Sequence, residues 1–133
     1  NGSTLLNEHS FVKSIHRVLP PSVYRWKIHD TFTGGVPDVM YVGPKHLLFV
    51  EYKYLKSLPK KDTTTIKHSL SPQQKAWLER INQPAKAALV IGCNNSCVII
   101  LDDFSLELSR MSFIEQKRTK KEVAQWIEQS VSQ

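Results

Sequence analysis

Residues 47–54 constrain the fold of this 133-residue chain more than any other segment, because they are predicted to form a strand that is apolar on both faces. Side chains alternate across a strand, which sorts these residues into two sets. One face carries Leu47, Phe49, Glu51 and Lys53, and the other carries Leu48, Val50 and Tyr52. Such a strand lies centrally in a sheet, where an unpaired carboxylate is costly. The carboxylate of Glu51 therefore needs a partner in the folded protein.

The turn before this strand determines which residue lies opposite Glu51. Residues 43–46 have proline at the position that a type I turn favours, and an apolar stretch precedes them. A hairpin centred on this turn pairs Val42 with Leu47 and, further out, Asp38 with Glu51. Directly opposed carboxylates destabilise a sheet, so this register predicts a cation between them. Oxygen ligands favour Mg²⁺ or Mn²⁺ over zinc.

The remaining periodicities predict an α/β domain with a central mixed β-sheet flanked by helices. Helices are predicted over residues 4–19, over residues 71–81 and from Thr119 to the end, and strands over residues 22–28, 36–42, 47–54, 87–92 and 97–101. We expect one domain over residues 1–133, with a core at about 4–103 and a C-terminal extension, 104–133, that ends in a helix. The apolar stripe of that helix is Trp126, Ile127 and Val131. It packs either within the chain or between two subunits.

Charge and composition restrict the class of protein. Eighteen Lys and Arg against twelve Asp and Glu give a net charge of +6, which either favours polyanionic partners or only keeps the protein soluble. Residues 56–69 form a polar segment that we expect to be a mobile loop, and its lysines are Lys56, Lys60, Lys61 and Lys67. Beside an acidic metal site, these lysines are expected to contact a phosphate backbone.

Nothing in the sequence predicts a membrane segment or a secretory leader. The two cysteines, Cys93 and Cys97, are expected to stay reduced. We therefore expect a cytoplasmic, intracellular protein, encoded either by a cell or by a virus that acts in a host cell. The five histidines lack metal-ligand spacing. The tryptophans, Trp26 among them, are expected in the core or at an interface rather than as platforms for base stacking.

Two polar residues in predicted helices have two interpretations each. Glu8 lies four residues before Val12, within an apolar stripe, so it faces the other acids or packs its stem while its carboxylate stays in water. Gln74 follows Ser71 by three residues, which is the spacing of a capping box. Its side chain therefore closes the helix start or takes part in a site.

These residues together resemble a known family. Residues 35–38, Gly-Val-Pro-Asp, and residues 51–53, Glu-Tyr-Lys, are similar to the signature of the PD-(D/E)XK nuclease superfamily, with thirteen residues from Asp38 to Glu51. Glu8 in the first predicted helix and the Ser-Pro-Gln-Gln helix start at residues 71–74 resemble features of its Holliday-junction-resolvase and VRR-NUC branch. The resemblance covers about residues 8–101 and implies a restriction-endonuclease-like fold.

The resemblance also implies roles for residues. Asp38, Glu51 and the backbone carbonyl of Tyr52 would bind a catalytic Mg²⁺, which Mn²⁺ would replace, and Glu8 would reach it directly, through water or at a second metal. Lys53 would orient the attacking water and offset the charge that develops on the phosphate. Gln74 would belong to the same site if it does more than cap its helix.

The implied activity is that of a metal-dependent DNA endonuclease, structure-selective for branched DNA as in Holliday-junction resolution during repair and recombination. The resemblance further implies DNA as partner and a homodimer. One alternative is an exonuclease or general nuclease on the same fold. Another is a non-catalytic nucleic-acid binding module, although such a module has no need for opposed acids that require a cation.

Overall fold

The computed structural model describes residues 7–29, 34–82 and 85–133. Its helices are α1 (Glu8–Arg17), α2 (Pro72–Ile81), α3 (Arg110–Gln116) and α4 (Lys120–Ser132). Its strands are β1 (Tyr24–Lys27), β2 (Val39–Val42), β3 (Leu47–Leu55), β4 (Lys86–Cys93), β5 (Ser96–Ile100) and β6 (Arg118–Thr119). They form one sheet in the order β1-β2-β3-β4-β5-β6, in which β3 and β4 are parallel and the other neighbours antiparallel. The predicted mixed sheet is confirmed.

The β2–β3 hairpin has the register that the sequence predicts. Val42 pairs with Leu47, and the ladder continues to Val39 with Val50. Asp38 comes directly before that last pair, and its backbone oxygen accepts a hydrogen bond of 2.8 Å from the N–H of Ile28. Asp38 is therefore held at the end of β2, at the level where β3 carries its acid.

Both faces of the sheet are covered by apolar side chains. On one face α1 and α4 pack over β3, through Phe11, Ile15, Ile127 and Val131, all fully buried. On the other face α2 contributes Leu78, and the chain after β5 contributes Phe104, Leu108 and Phe113. Trp126 is partly buried against the first cluster. The stripe of the last helix thus packs within the chain.

Several element bounds differ from the predicted ones. Helix α1 begins at Glu8 because Asn7 caps it, with a capping box to Ser10, and residues 1–6 lie outside the described residues. Helix α3 and strand β6 are not predicted from the sequence. Helix α3 has only 7 residues and buries only Phe113, so its sequence has no apolar period to detect.

The segment after β3 also differs from the mobile loop that the sequence predicts. It contains no helix or strand, but its second half is anchored to the region before α3. Ile66 donates a backbone hydrogen bond of 2.6 Å to Leu108, and Arg110 donates one of 3.1 Å to Thr64. Arg110 also forms an ion pair with Asp62. Hydrogen bonds to a segment distant in sequence leave no local periodicity that would predict this anchoring.

The β4–β5 hairpin separates the two cysteines. Cys97 pairs with Gly92 and Cys93 pairs with Ser96, so the thiols lie on opposite faces of the sheet, and both are free. Asn94 in the turn has φ +54°, the left-handed geometry that asparagine tolerates. Within the described residues, no helix has the length and apolar character needed to cross a membrane.

Candidate active site

Asp38, Glu51 and Lys53 lie together where β2 ends beside β3. The Asp38 Oδ2 atom accepts a hydrogen bond of 3.0 Å from the backbone N–H of Tyr52, the residue between the other two. Glu51 is only 2% exposed, and its Oε2 atom lies 3.6 Å from Lys53 Nζ. The three residues that the sequence singles out are therefore neighbours.

Burial controls the ionisation of both carboxyl groups. It raises the pKa of Glu51 to about 8, and the charge of Asp38 adds to this effect, while Lys53 opposes it. Burial also raises the pKa of Asp38, against the lowering effects of the Tyr52 N–H and of Lys53. The nearby ammonium groups thus do not offset the burial of the two acids, and Glu51 retains a proton near neutral pH in the absence of a further cation.

One carboxylate oxygen of this site lacks a protein partner. The Oε1 atom of Glu51 is buried and has no hydrogen bond within the described residues. A buried acceptor without a partner is costly, and a hard cation would relieve this cost while countering the repulsion between the acids. The donor set that Asp38, Glu51 and the Tyr52 carbonyl would offer consists of oxygen alone, which fits Mg²⁺ or Mn²⁺.

Glu8 is at the margin of the site. It is the first residue of α1 and is exposed as a whole, although neighbours partly cover its carboxyl group. Its pKa is raised, first by this burial and then by the charge of Asp38. Across residues 7–29, 34–82 and 85–133, no cluster of three or more His, Cys, Asp or Glu side chains is arranged to hold a metal ion. The structure thus brings Glu8 within electrostatic range of Asp38 but not into a three-acid cluster.

Gln74 fills both of the roles that its position allows. Its Oε1 atom accepts a hydrogen bond of 3.0 Å from the Ser71 N–H, which closes the capping box of α2. Its Nε2 atom donates one of 2.9 Å to Oε2 of Glu51. The two ends of one amide therefore tie the start of α2 to the buried acid.

The glycine before Asp38 permits this arrangement. Gly35 has φ +85, and a Cβ atom there would lie 2.5 Å from the backbone carbon of Gln73. A side chain at this position is excluded by both the backbone conformation and the space. The chain leading to Asp38 can thus lie directly against the first turn of α2, which carries Gln74.

The four lysines of the segment after β3 remain at the surface. Lys56, Lys60, Lys61 and Lys67 are all exposed. Lys67 lines an open cavity of about 450 Å³ that also includes His68, Ser69 and Lys75. Glu107 lines the same cavity, so its wall carries one carboxylate beside the ammonium groups of Lys67 and Lys75.

Two residues around the site were not predicted from the sequence. The positive charge of Lys27 lowers the pKa of both Asp38 and Glu8, so Lys27 is a second cation near the acids. His68 is half-buried, and its pKa is lowered by burial and by the charge of Lys53. Neither residue has a local signal, because each reaches the site only through the tertiary fold.

A buried hydrogen-bond chain supports β3 from the opposite face. His16 Nε2 lies 2.7 Å from Tyr41 Oη, which lies 2.6 Å from Tyr52 Oη. Burial lowers the pKa of His16 to about 4, with Arg25 and Lys27 adding to the effect. A neutral histidine therefore links α1 to the strand that carries Glu51.

Trp26 does not lie in the core, one of the two places expected for the tryptophans. It is 59% exposed, and it forms an edge-to-face pair with Tyr24, which is 63% exposed. Both residues are on β1, at the edge of the sheet. The core is therefore wrong as a place for Trp26, while its place at an interface stays a prediction.

Comparison with known proteins extends the structural result. No family model matches the sequence, and no curated protein matches it. Among solved structures, ten chains match. One is Archaeoglobus fulgidus Hjc, a Holliday junction resolvase from an archaeal hyperthermophile, with a TM-score of 0.55 and 13% sequence identity over 88% of this chain and 99% of that chain. This likeness establishes a shared fold and confirms the restriction-endonuclease-like architecture.

Proposed function

We propose that this chain is a metal-dependent nuclease that hydrolyses phosphodiester bonds in DNA, with branched DNA as its preferred substrate. The observation that carries the proposal is Glu51, which is 2% exposed, beside Asp38 and Lys53, with one oxygen that lacks a protein partner. A fold has no structural need for such a group, whereas a cation site does. The fold shared with a Holliday junction resolvase supports branched DNA as the substrate class.

The proposed roles follow from the chemistry of each side chain. Asp38, Glu51 and the carbonyl of Tyr52 would bind Mg²⁺, and Glu8 would contribute through water or at a second ion. A bound divalent cation lowers the pKa of water and neutralises phosphate charge. Lys53 holds its ammonium group beside Glu51, where it orients the attacking water and stabilises the negative charge that grows on the phosphate.

Substrate contacts are proposed for the exposed lysines. Lys56, Lys60, Lys61 and Lys67 bind backbone phosphates, which places the duplex without reading its sequence. The partner is DNA, and a homodimer would place two sites on two strands. Since Ile127 and Val131 are buried within the chain, such a dimer uses another surface. Light scattering at micromolar concentration tests this assembly.

A panel of labelled substrates tests the proposed function. Duplex, single-stranded, flap and four-way-junction DNA, together with RNA, are incubated with the protein in Mg²⁺, in Mn²⁺ and in EDTA. We expect cleavage with either metal and none in EDTA, with branched DNA cut fastest. Equal rates on ends and branches would favour an exonuclease or general nuclease, and binding without any cleavage would favour a non-catalytic module.

The two bonds of Gln74 give a prediction with a matched control. Ser71→Ala and Gln74→Ala each remove half of the capping box and are expected to lower the free energy of unfolding by about 1 kcal/mol. Only Gln74→Ala also removes the donor to Glu51, so we expect it to slow cleavage roughly tenfold, from the loss of one hydrogen bond to a charged group. Cleavage by Ser71→Ala should stay within about twofold of the unmutated rate. Equal slowing in both variants would assign Gln74 to capping alone.

A further inference from the structure

The face of the sheet that carries Glu51 continues onto an exposed aromatic surface. Met40 is half-buried and pairs with Phe49 on β3, whose ring packs against Trp77 of α2 at a centroid distance of 5.3 Å. On its other side Met40 pairs with Trp26, at the edge of the sheet. Paired residues of antiparallel strands point to the same face, so the indole of Trp26 lies on the face of the candidate active site.

The exposed rings are arranged as a platform beside a cavity. Tyr24 and Trp26 meet edge to face, with centroids 6.3 Å apart and planes at 83°. An open cavity of about 400 Å³ adjoins the indole and is lined by Trp26, Lys27, Ile28, His29 and Met40. This volume is within the range of small-ligand sites, and an aromatic wall with one ammonium group suits a flat, anionic ligand.

The cavity is close to the candidate catalytic acids. Ile28 lines it and donates a backbone hydrogen bond of 2.8 Å to Asp38, while Met40 follows Asp38 by two residues. A two-residue step along a strand is about 7 Å, roughly twice the 3.4 Å rise between stacked bases. A base in the cavity would therefore belong to a nucleotide close to a phosphate at Asp38.

The surrounding charge favours a polyanion. Lys27 lines the cavity, so one ammonium group adjoins the indole of Trp26. The charge of Lys27 extends to the acids themselves, since it lowers the pKa of Asp38. A nucleic-acid chain combines flat rings with negative charge and so matches this surface better than an apolar partner does.

We propose that the cavity beside Trp26 is a nucleobase site, in which an unpaired base of the substrate stacks on the indole while Lys27 contacts its phosphate. The proposal rests on the proposed nuclease function and deepens it. Bases inside a duplex are stacked on each other, so only an unpaired or displaced nucleotide offers its face to a side chain. The substrate class is therefore DNA with unpaired nucleotides next to the bond that is cut.

Binding measurements in EDTA test the proposal without requiring cleavage. The substrates are a duplex and a flap of matched sequence that carries a fluorescent adenine analogue at an unpaired position. Trp26→Ala is compared with Trp26→Phe, which keeps a ring, and with Met111→Ala, which alters an apolar side chain of similar exposure, 50%, on α3. Light scattering is recorded for each variant.

We expect Trp26→Ala to weaken flap binding by about 5- to 150-fold, the range for loss of one base–aromatic stack, and duplex binding by no more than about twofold. Trp26→Phe should retain most of the affinity, and the adenine analogue should be quenched by every protein except Trp26→Ala. The dependence of affinity on salt should not change, because the indole carries no charge.

Three results would overturn the nucleobase site. The first is an equal loss of affinity for flap and duplex in Trp26→Ala, and the second is an equal loss of flap affinity in Met111→Ala. The third is conversion of a dimer to a monomer by Trp26→Ala, which would assign the surface to a second copy of the chain. Failure of the proposed function looks different. If flap binding depends on Trp26 but no DNA is cut in Mg²⁺, the protein has the base site without the nuclease activity. If the protein binds neither the flap nor the duplex, it has neither the base site nor the nuclease activity.

Discussion

Replacing Lys53 with alanine is expected to slow DNA cleavage by about a hundred- to ten-thousandfold, while the fold is retained. A rate decrease of this size is typical when one group that stabilises charge developing in a transition state is removed. Lys53 Nζ lies 3.6 Å from Glu51 Oε2, next to the site where the phosphate would react. Single-turnover rates with saturating protein measure the chemical step apart from substrate binding.

The control for this variant is Lys121→Ala, which removes the same charge from an exposed position on α4. We expect Lys121→Ala to cleave within about twofold of the unmutated rate. Asp38→Asn should match Lys53→Ala in its loss, because its amide retains the shape of the carboxylate but not its charge. Undiminished cleavage by either Lys53→Ala or Asp38→Asn would remove the proposed site.

The part of the site that the sequence predicts is the part built from one hairpin. The turn length sets the register, and the register brings Asp38 to the level of Glu51, with Lys53 on the same face as Glu51. Each step uses only neighbours in sequence and the twofold alternation of a strand. The sheet class follows in the same way, from the number and order of the apolar segments.

The parts that the sequence does not predict depend on contacts between distant segments. The sequence predicts the capping box at Ser71, but the hydrogen bond from Gln74 to Glu51 depends on the packing of α2 against β3. Likewise, Trp26 is on a strand whose exposure is decided by its edge position in the sheet. A local sequence pattern does not predict which positions of a sheet stay exposed to solvent.

The pH dependence of stability in EDTA is expected to separate Glu51→Gln from the unmutated protein. The folded-state pKa of Glu51 is about 8, above its usual value of 4.5, so folding favours the protonated carboxyl group. The stability contributed by this proton is fully present below about pH 4.5 and is lost as the pH rises through 8. The loss in that window is on the order of a few kcal/mol.

Glu51→Gln has no such titration, and its amide oxygen keeps the hydrogen bond from Gln74. Between pH 5 and pH 9 its Tm should fall less than that of the unmutated protein, and from about pH 8 upward it should be the more stable of the two. A kcal/mol corresponds to about 3 to 5 °C in a domain of this size. Glu115→Gln, at an exposed position on α3, removes one carboxyl group without relieving burial and should follow the unmutated curve.

Adding Mn²⁺ at pH 8 is expected to reverse the order of the two proteins. An ion that binds only the folded state stabilises it by about 2.7 kcal/mol at a hundredfold excess over its Kd. Glu51→Gln lacks one of the two opposed carboxylates, so it should gain much less. Thermal unfolding with and without the ion at several pH values measures both effects. Parallel curves for the two proteins in EDTA, together with equal upward shifts in Mn²⁺, would show that Glu51 neither holds a proton nor shares an ion with Asp38.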